Sequence, residues 1–120
     1  SLAIAPGGTF KLAPLYDVLS AWPWVGSSAR QEHLRNVKMA MALRTKNAHY
    51  RMRETYRRHW LAVGERYIGV EPTTTILEEL PGIVEGAITL VQEKIPEGFP
   101  AHIVDTIVNG IRSNLAHLAL

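Results

Sequence analysis

A carboxylate that stands alone among apolar and basic residues is a candidate ligand for a hard cation. Asp17 is such a residue, since no other acid occurs in residues 1 to 31. Mg²⁺ takes one or two protein carboxylates and leaves its remaining positions to phosphate oxygens and water. The same side chain could cap the segment that follows by accepting backbone N–H bonds, and the two roles are compatible. A second set of candidates is basic. Seven of the thirteen Lys and Arg lie between Arg44 and Arg66, and Arg51, Arg53, Arg57 and Arg58, with Tyr50 and His59, could form a face that contacts phosphates. No recognition-helix signature accompanies them, and a solvated face paired to Glu54, Glu65 and the acidic second half of the chain explains the same residues. His59, beside Trp60, reads as a packed, hydrogen-bonded side chain rather than a metal ligand. Trp22 and Trp24 could stack on a base or an adenine ring, but Trp is more often a large core contributor, and core is the expected role.

The elements that must position these groups can be read in order. Leu2 to Ala5, a Pro6-Gly7-Gly8 turn and Thr9 to Leu12 form a β-hairpin pattern. Pro14 then takes the chain out of the strand, which leaves Asp17 at a strand exit. Trp22 to Ser28 reads as a loop broken by Pro23 and Gly26. Residues 39–44 and 49–52, around Lys46-Asn47, read as a second small hairpin, in competition with a helix over residues 32–43. Arg53 to Ile68 predicts an amphipathic helix with Tyr56, Trp60, Val63, Gly64 and Tyr67 on one side and Gly69 as its stop. Thr75 and Glu78 have capping-box spacing ahead of the stripe Ile76, Leu80, Val84, Ala87, Val91 and Ile95, in which Pro81 should kink or restart the helix. A last helix follows Pro100, with Val104, Ile107, Val108, Ile111, Leu115 and Leu118 as its stripe and Gly110 as a mild weakness. These last two helices are expected to pack as an antiparallel pair.

The run from Gly8 to Ala21, GTFKLAPLYDVLSA, closely resembles the segment of HipA-type serine/threonine kinases that carries their magnesium-binding aspartate. Lys38 to Leu43, Lys46 to Tyr50 and Arg57 to Ala62 resemble later parts of the same C-terminal region, in the same order. The resemblance extends from Ser1 to about Gly69, with weaker helical similarity beyond. It implies a kinase toxin that phosphorylates a protein serine, an aminoacyl-tRNA synthetase being one type of substrate, with ATP and Mg²⁺ as cofactors of the intact parent that this piece alone is not expected to bind tightly. It further implies a HipB-like antitoxin and its operator DNA as partners. Asp17 matches the magnesium ligand and would contact Mg-ATP; no other catalytic residue can be placed. In that family the catalytic loop, with its general-base aspartate and metal-binding asparagine, lies just before the hairpin. The expectation is therefore a piece of a kinase lobe, inactive by itself. The alternative is a non-catalytic helical module whose basic surface over residues 44–66 meets DNA or an acidic protein.

Length and composition set the frame. A chain of 120 residues, 47% hydrophobic, fits one domain with a core of its own. The expected fold is mainly α with an α+β character: a helical lobe, resembling part of a kinase C-lobe, with an N-terminal hairpin. Residues 1–71 carry a balance of +6 and residues 72–120 one of −4, so the net +2 hides a bipolar chain. The absence of cysteine suits a reducing compartment, and no apolar run reaches the roughly 18 residues of a membrane span, so a cytoplasmic protein is expected. Glycine-rich phosphate loops, a Gly-x-Ser-x-Gly elbow and zinc-type His pairs do not occur. A hairpin without neighbouring strands leaves unpaired backbone at its edges, so self-association through that edge is also expected.

Overall fold

A computed structural model describes residues 2–14, 18–26, 28 and 30–119. Two small antiparallel hairpins precede three helices. The first joins β1 (Leu2–Ile4) to β2 (Phe10–Leu12), with Leu2 opposite Leu12 and Ile4 opposite Phe10. Its turn depends on Gly7 and Gly8, whose φ of 89° and 79° lie in the left-handed region that side chains with a Cβ avoid. The Ala5 amide closes it by donating to the Thr9 carbonyl at 2.8 Å. Ile4, Phe10 and Leu12 stay exposed, so this hairpin is held by its backbone and buries little.

The second hairpin resolves the helix-or-strand ambiguity of residues 32–43 in favour of strand. β3 (Lys38–Arg44) pairs with β4 (Ala48–Arg51) around a turn at residues 45–47, with a register irregularity between Lys38 and Leu43. Ahead of it, Leu34–Asn36 makes a single 3₁₀ turn. Leu43 is buried. β3 packs on α1.

α1 spans Arg57–Tyr67, four residues shorter at its start than the apolar stripe predicts. Met52–Glu54 forms a 3₁₀ turn instead, closed by the Thr55 hydroxyl donating to the Met52 carbonyl at 2.7 Å. Tyr56 is then extended, and its amide donates to His59 Nδ1 at 3.2 Å. Gly69 does end the helix, as Ile68 and Gly69 both donate to the Gly64 carbonyl. With φ at 94° Gly69 also begins the next one, so α1 and α2 are separated by two residues only.

α2 spans Val70–Gln92 and starts earlier than the Thr75 and Glu78 capping box predicts. Pro72 sits in the first turn, where a missing N–H costs nothing. Thr75 lies inside the helix with its hydroxyl turned back to the Glu71 carbonyl, an alternative to capping that threonine readily adopts. The helix runs on through Pro81 without restarting. At the contact between α1 and α2, a Cβ on Gly64 would collide with the Thr73 side chain, so the absence of one lets the helices meet.

α3 spans Ala101–Leu118. The expected close pairing with α2 is not found. Arg112 on α3 grips Glu85 on α2 through two hydrogen bonds, at 2.9 and 2.7 Å, but an apolar cleft of about 1050 Å³ remains between the helices. That ion pair holds the Glu85 carboxyl below its ordinary value through the hydrogen bond from Arg112. Its contribution is therefore present above the ordinary value of 4.5 and lost as pH falls below it. Val84, Ile88 and Val91 of α2 face Val104, Ile107 and Ile111 of α3 across the cleft. Trp22, in the 3₁₀ turn Trp22–Trp24, fills its floor against Gly110. Thus Gly110 is a packing site rather than a weak point, and Trp22 is half-buried against it while Trp24 is exposed.

Surface is generous for the mass. A compact 13.4 kDa monomer would expose about 6500 Å², whereas this chain exposes 9479 Å². Its radius of gyration is 17.1 Å, against about 14 Å for a compact chain of this length. Among the described residues, Leu43, Leu77 and Ile88 are the buried hydrophobic side chains. No helix among the described residues is long and apolar enough to cross a membrane.

Candidate functional site

Asp17 lies outside the described residues, but both its flanks are placed. β2 ends at Leu12, and Pro14 is exposed. On the other side Val18 and Leu19 are exposed at the mouth of the α2/α3 cleft. The hairpin thus leads the chain to Asp17, and the cleft receives it afterwards. Among the described residues no group of three or more His, Cys, Asp or Glu is placed to hold a metal, so no cage built wholly from protein is present there. A lone carboxylate suits a cation that keeps phosphate and water among its ligands.

The four arginines do not form one uncommitted patch. Arg51, on β4, pairs with Glu54 at 3.0 Å. Arg57, the first residue of α1, turns to Glu78 of α2 at 3.6 Å. Arg58 lies over the Tyr56 ring, 4.4 Å from its centroid, a cation–π contact. Arg53 is half-buried on the 3₁₀ turn, and has no ion-pair partner among the described residues. Next to Arg51, a shallow cavity of about 490 Å³ is lined by Lys38, Ala48, Tyr50 and Glu54. Exposed ion pairs of this kind are worth little, so a phosphate could still displace Glu54 from Arg51.

A histidine cluster was not legible in the sequence, because its members come from three separate elements. His49 of β4 and His59 of α1 stack with ring centroids 4.0 Å apart and planes 17° from parallel. Tyr56 meets His59 edge-on, and His117, near the end of α3, lies 4.8 Å from Tyr56. Thr45 Oγ1 holds His49 Nε2 at 3.1 Å. His117 Nε2 is buried without a hydrogen-bond partner among the described residues. The cluster ties the second hairpin, the start of α1 and the end of α3 together.

Burial, then the neighbouring His49 and Arg58, push the His59 pKa below its ordinary 6.5, against a hydrogen bond with the Glu54 backbone. The unfolded chain therefore binds the proton more readily than the folded one. Stability is unaffected well above pH 6.5 and falls as pH drops through that value, with the loss complete only below the lowered folded pKa. Thermal melts between pH 7.5 and pH 5 are expected to show a falling midpoint, and His59→Gln should flatten the profile. A midpoint that is level across that range would remove the stacked pair from the account.

A scan against protein-family models finds none that matches this chain.

Proposed function

We propose that this chain is the C-terminal part of a HipA-like protein serine/threonine kinase, in which Asp17 ligates the Mg²⁺ that accompanies ATP. The observation that carries the reading is the β1–β2 hairpin, which ends five residues before Asp17 and opens the segment that resembles the family. In phosphoryl transfer the metal ligand must be held in position, because catalysis is mostly positioning and charge neutralisation. A short, backbone-closed hairpin brings the chain to that position, and under this reading the rest of the parent lobe would cover and fix it. The mixed fold, two hairpins followed by helices, agrees with the part of a kinase lobe that the resemblance implies.

Under this reading the general base, the second metal-binding side chain and the nucleotide-gripping lysine belong to other parts of the parent protein. Its substrate would be a protein serine, and a HipB-like antitoxin on DNA its partner. This chain by itself is expected to transfer no phosphate from ATP to a protein. The test uses Mn²⁺ as a paramagnetic stand-in for Mg²⁺. Amide resonances of residues 12–13 and 15–20 should broaden on titration to high Mn²⁺ in the wild-type chain and stay sharp in Asp17→Asn. Broadening that is equal in both, or that centres elsewhere, would take away the chemical basis of the kinase reading.

A further inference from the structure

The start of α1 is closed by a side chain that can change its hydrogen-bonding role. After Tyr56 at the N-cap come Arg57, Arg58 and His59, and the first turn holds no acid. The positive end of a helix favours carboxylates and is opposed by cations, so this turn has no charge to spare for another proton. In a capping box the third helical residue is ordinarily Glu or Gln, whose side-chain oxygen accepts the N-cap amide. Here His59 takes that place, and its Nδ1 accepts the Tyr56 amide at 3.2 Å. Glutamine accepts at any pH. Imidazole accepts through Nδ1 only while that nitrogen is bare, because the protonated ring is a donor at both nitrogens.

We propose that His59 is a proton-operated cap: its protonation breaks the bond to the Tyr56 amide and releases the first turn of α1 from the second hairpin and from the end of α3. The groups around the ring oppose the proton from several sides. His49 of β4 is stacked on it with centroids 4.0 Å apart, and Thr45 Oγ1, at His49 Nε2, can accept a proton that His49 carries. Arg58 adjoins it on α1, while Arg57 is turned to Glu78 of α2. The Glu54 carboxylate is turned to Arg51 at 3.0 Å, so the 3₁₀ turn offers the ring only a backbone carbonyl, which a protonated ring can use and a Tyr56 amide cannot. Among the described residues no carboxylate stands within ion-pair distance of the ring. From α3, His117 reaches Tyr56, which meets His59 edge-on and lies under Arg58. Tyr56 is thus the link through which the end of α3 is held to α1, and losing its amide bond loosens that link. The rest of α3 keeps its own attachments, Trp22 at Gly110 and Glu85 at Arg112, so the opening is local. The inference stands apart from the kinase reading, as it uses neither Asp17 nor the first hairpin.

Amide hydrogen exchange read by NMR on the 120-residue chain, at pH 7.5 and pH 5, tests it, with rates expressed as protection factors so that the intrinsic pH dependence drops out. Protection of the Tyr56 amide should fall about tenfold, the scale of losing one helix cap, while amides in the middle of α2 keep theirs. Ring ¹⁵N spectra at pH 7.5 should show His59 Nδ1 without a proton. His59→Gln keeps an acceptor at the same position without a titrating group, so Tyr56 protection should be level with pH. His59→Ala has no acceptor and should be poorly protected at both. His49→Gln removes the stacked neighbour, so the fall should remain and its midpoint should move to higher pH. A wild-type Tyr56 amide whose protection is level overturns the inference, as does a proton on His59 Nδ1 at pH 7.5. A fall that persists in His59→Gln assigns the effect to His49 or His117 and overturns it too. Equal loss across α2 would make the transition global, and the cap would then not be a separate device.

Discussion

Gly110→Ala is expected to destabilise the chain by about 2 kcal/mol, the middle of the range for overpacking a filled site, and to lower its melting point by roughly 10 °C. Elsewhere in a helix the same change is favourable by up to about 1 kcal/mol, because alanine loses less backbone entropy than glycine. At Gly110 that gain is outweighed. The new methyl group would enter the Trp22 indole, which forms the floor of the α2/α3 cleft. The turn that carries the indole is held by its backbone. The Trp22 amide is tied to the Ser20 hydroxyl at 3.3 Å, and the turn behind it is tied by Glu32, whose amide donates to the Trp24 carbonyl at 2.8 Å. Gly82→Ala is the matched control, as a Cβ there meets nothing within 4 Å, and it should raise the melting point. The two glycines therefore respond with opposite signs. In a double-mutant cycle, Trp22→Ala should absorb most of the Gly110→Ala cost. A Gly110→Ala chain that melts at or above the wild-type temperature would mean that Trp22 does not pack on α3.

The second large effect concerns phosphate transfer by the longer protein to which we assign this chain. In that protein Asp17→Asn is expected to lower kcat by about 10³-fold, the scale of losing one preorganised electrostatic contact to the reacting phosphate. The substitution keeps the size of the side chain and removes its charge. If Asp17 holds the metal, as we propose, its loss acts on the transition state, so kcat should fall much more than the KM for the protein substrate rises. A loss confined to KM for the protein substrate would assign Asp17 to docking rather than to metal binding. Phosphate transfer that persists unaltered would end the kinase assignment.

Local turn chemistry made the hairpins readable. Pro6-Gly7-Gly8 supplies the positive φ of a tight reversal, and Lys46-Asn47 sits between runs of β-forming residues. Helix existence was equally plain, since apolar residues recur at helical spacing in all three. Helix starts were not. Thr75 and Glu78 look like a capping box, but threonine hydroxyls can bond back to the carbonyl four residues earlier, and Pro72 with Gly69 provides an earlier start. The stripe beginning at Tyr56 mixes a residue ahead of α1 with residues within it, because His59 takes the Tyr56 amide before the helix can. Pairing of α2 with α3 followed from their apolar stripes alone, and a stripe says that a face is to be covered, not by what. The histidine cluster had no local signature, since His49, His59 and His117 meet only through the tertiary fold. Arg57 likewise gives no hint in its own neighbourhood that its counterion is Glu78, on the next helix.

The first hairpin has an experimental use that follows from how little it hides. Its amides are protected by three residue pairs and one turn bond, and its side chains Ile4, Phe10 and Leu12 are exposed. Deuterium should enter them almost as fast as into a free peptide, while the middle of α2 exchanges slowly. Anything that later lies across β1 and β2 will slow that uptake, so the arm is a built-in gauge of occupancy that needs no label.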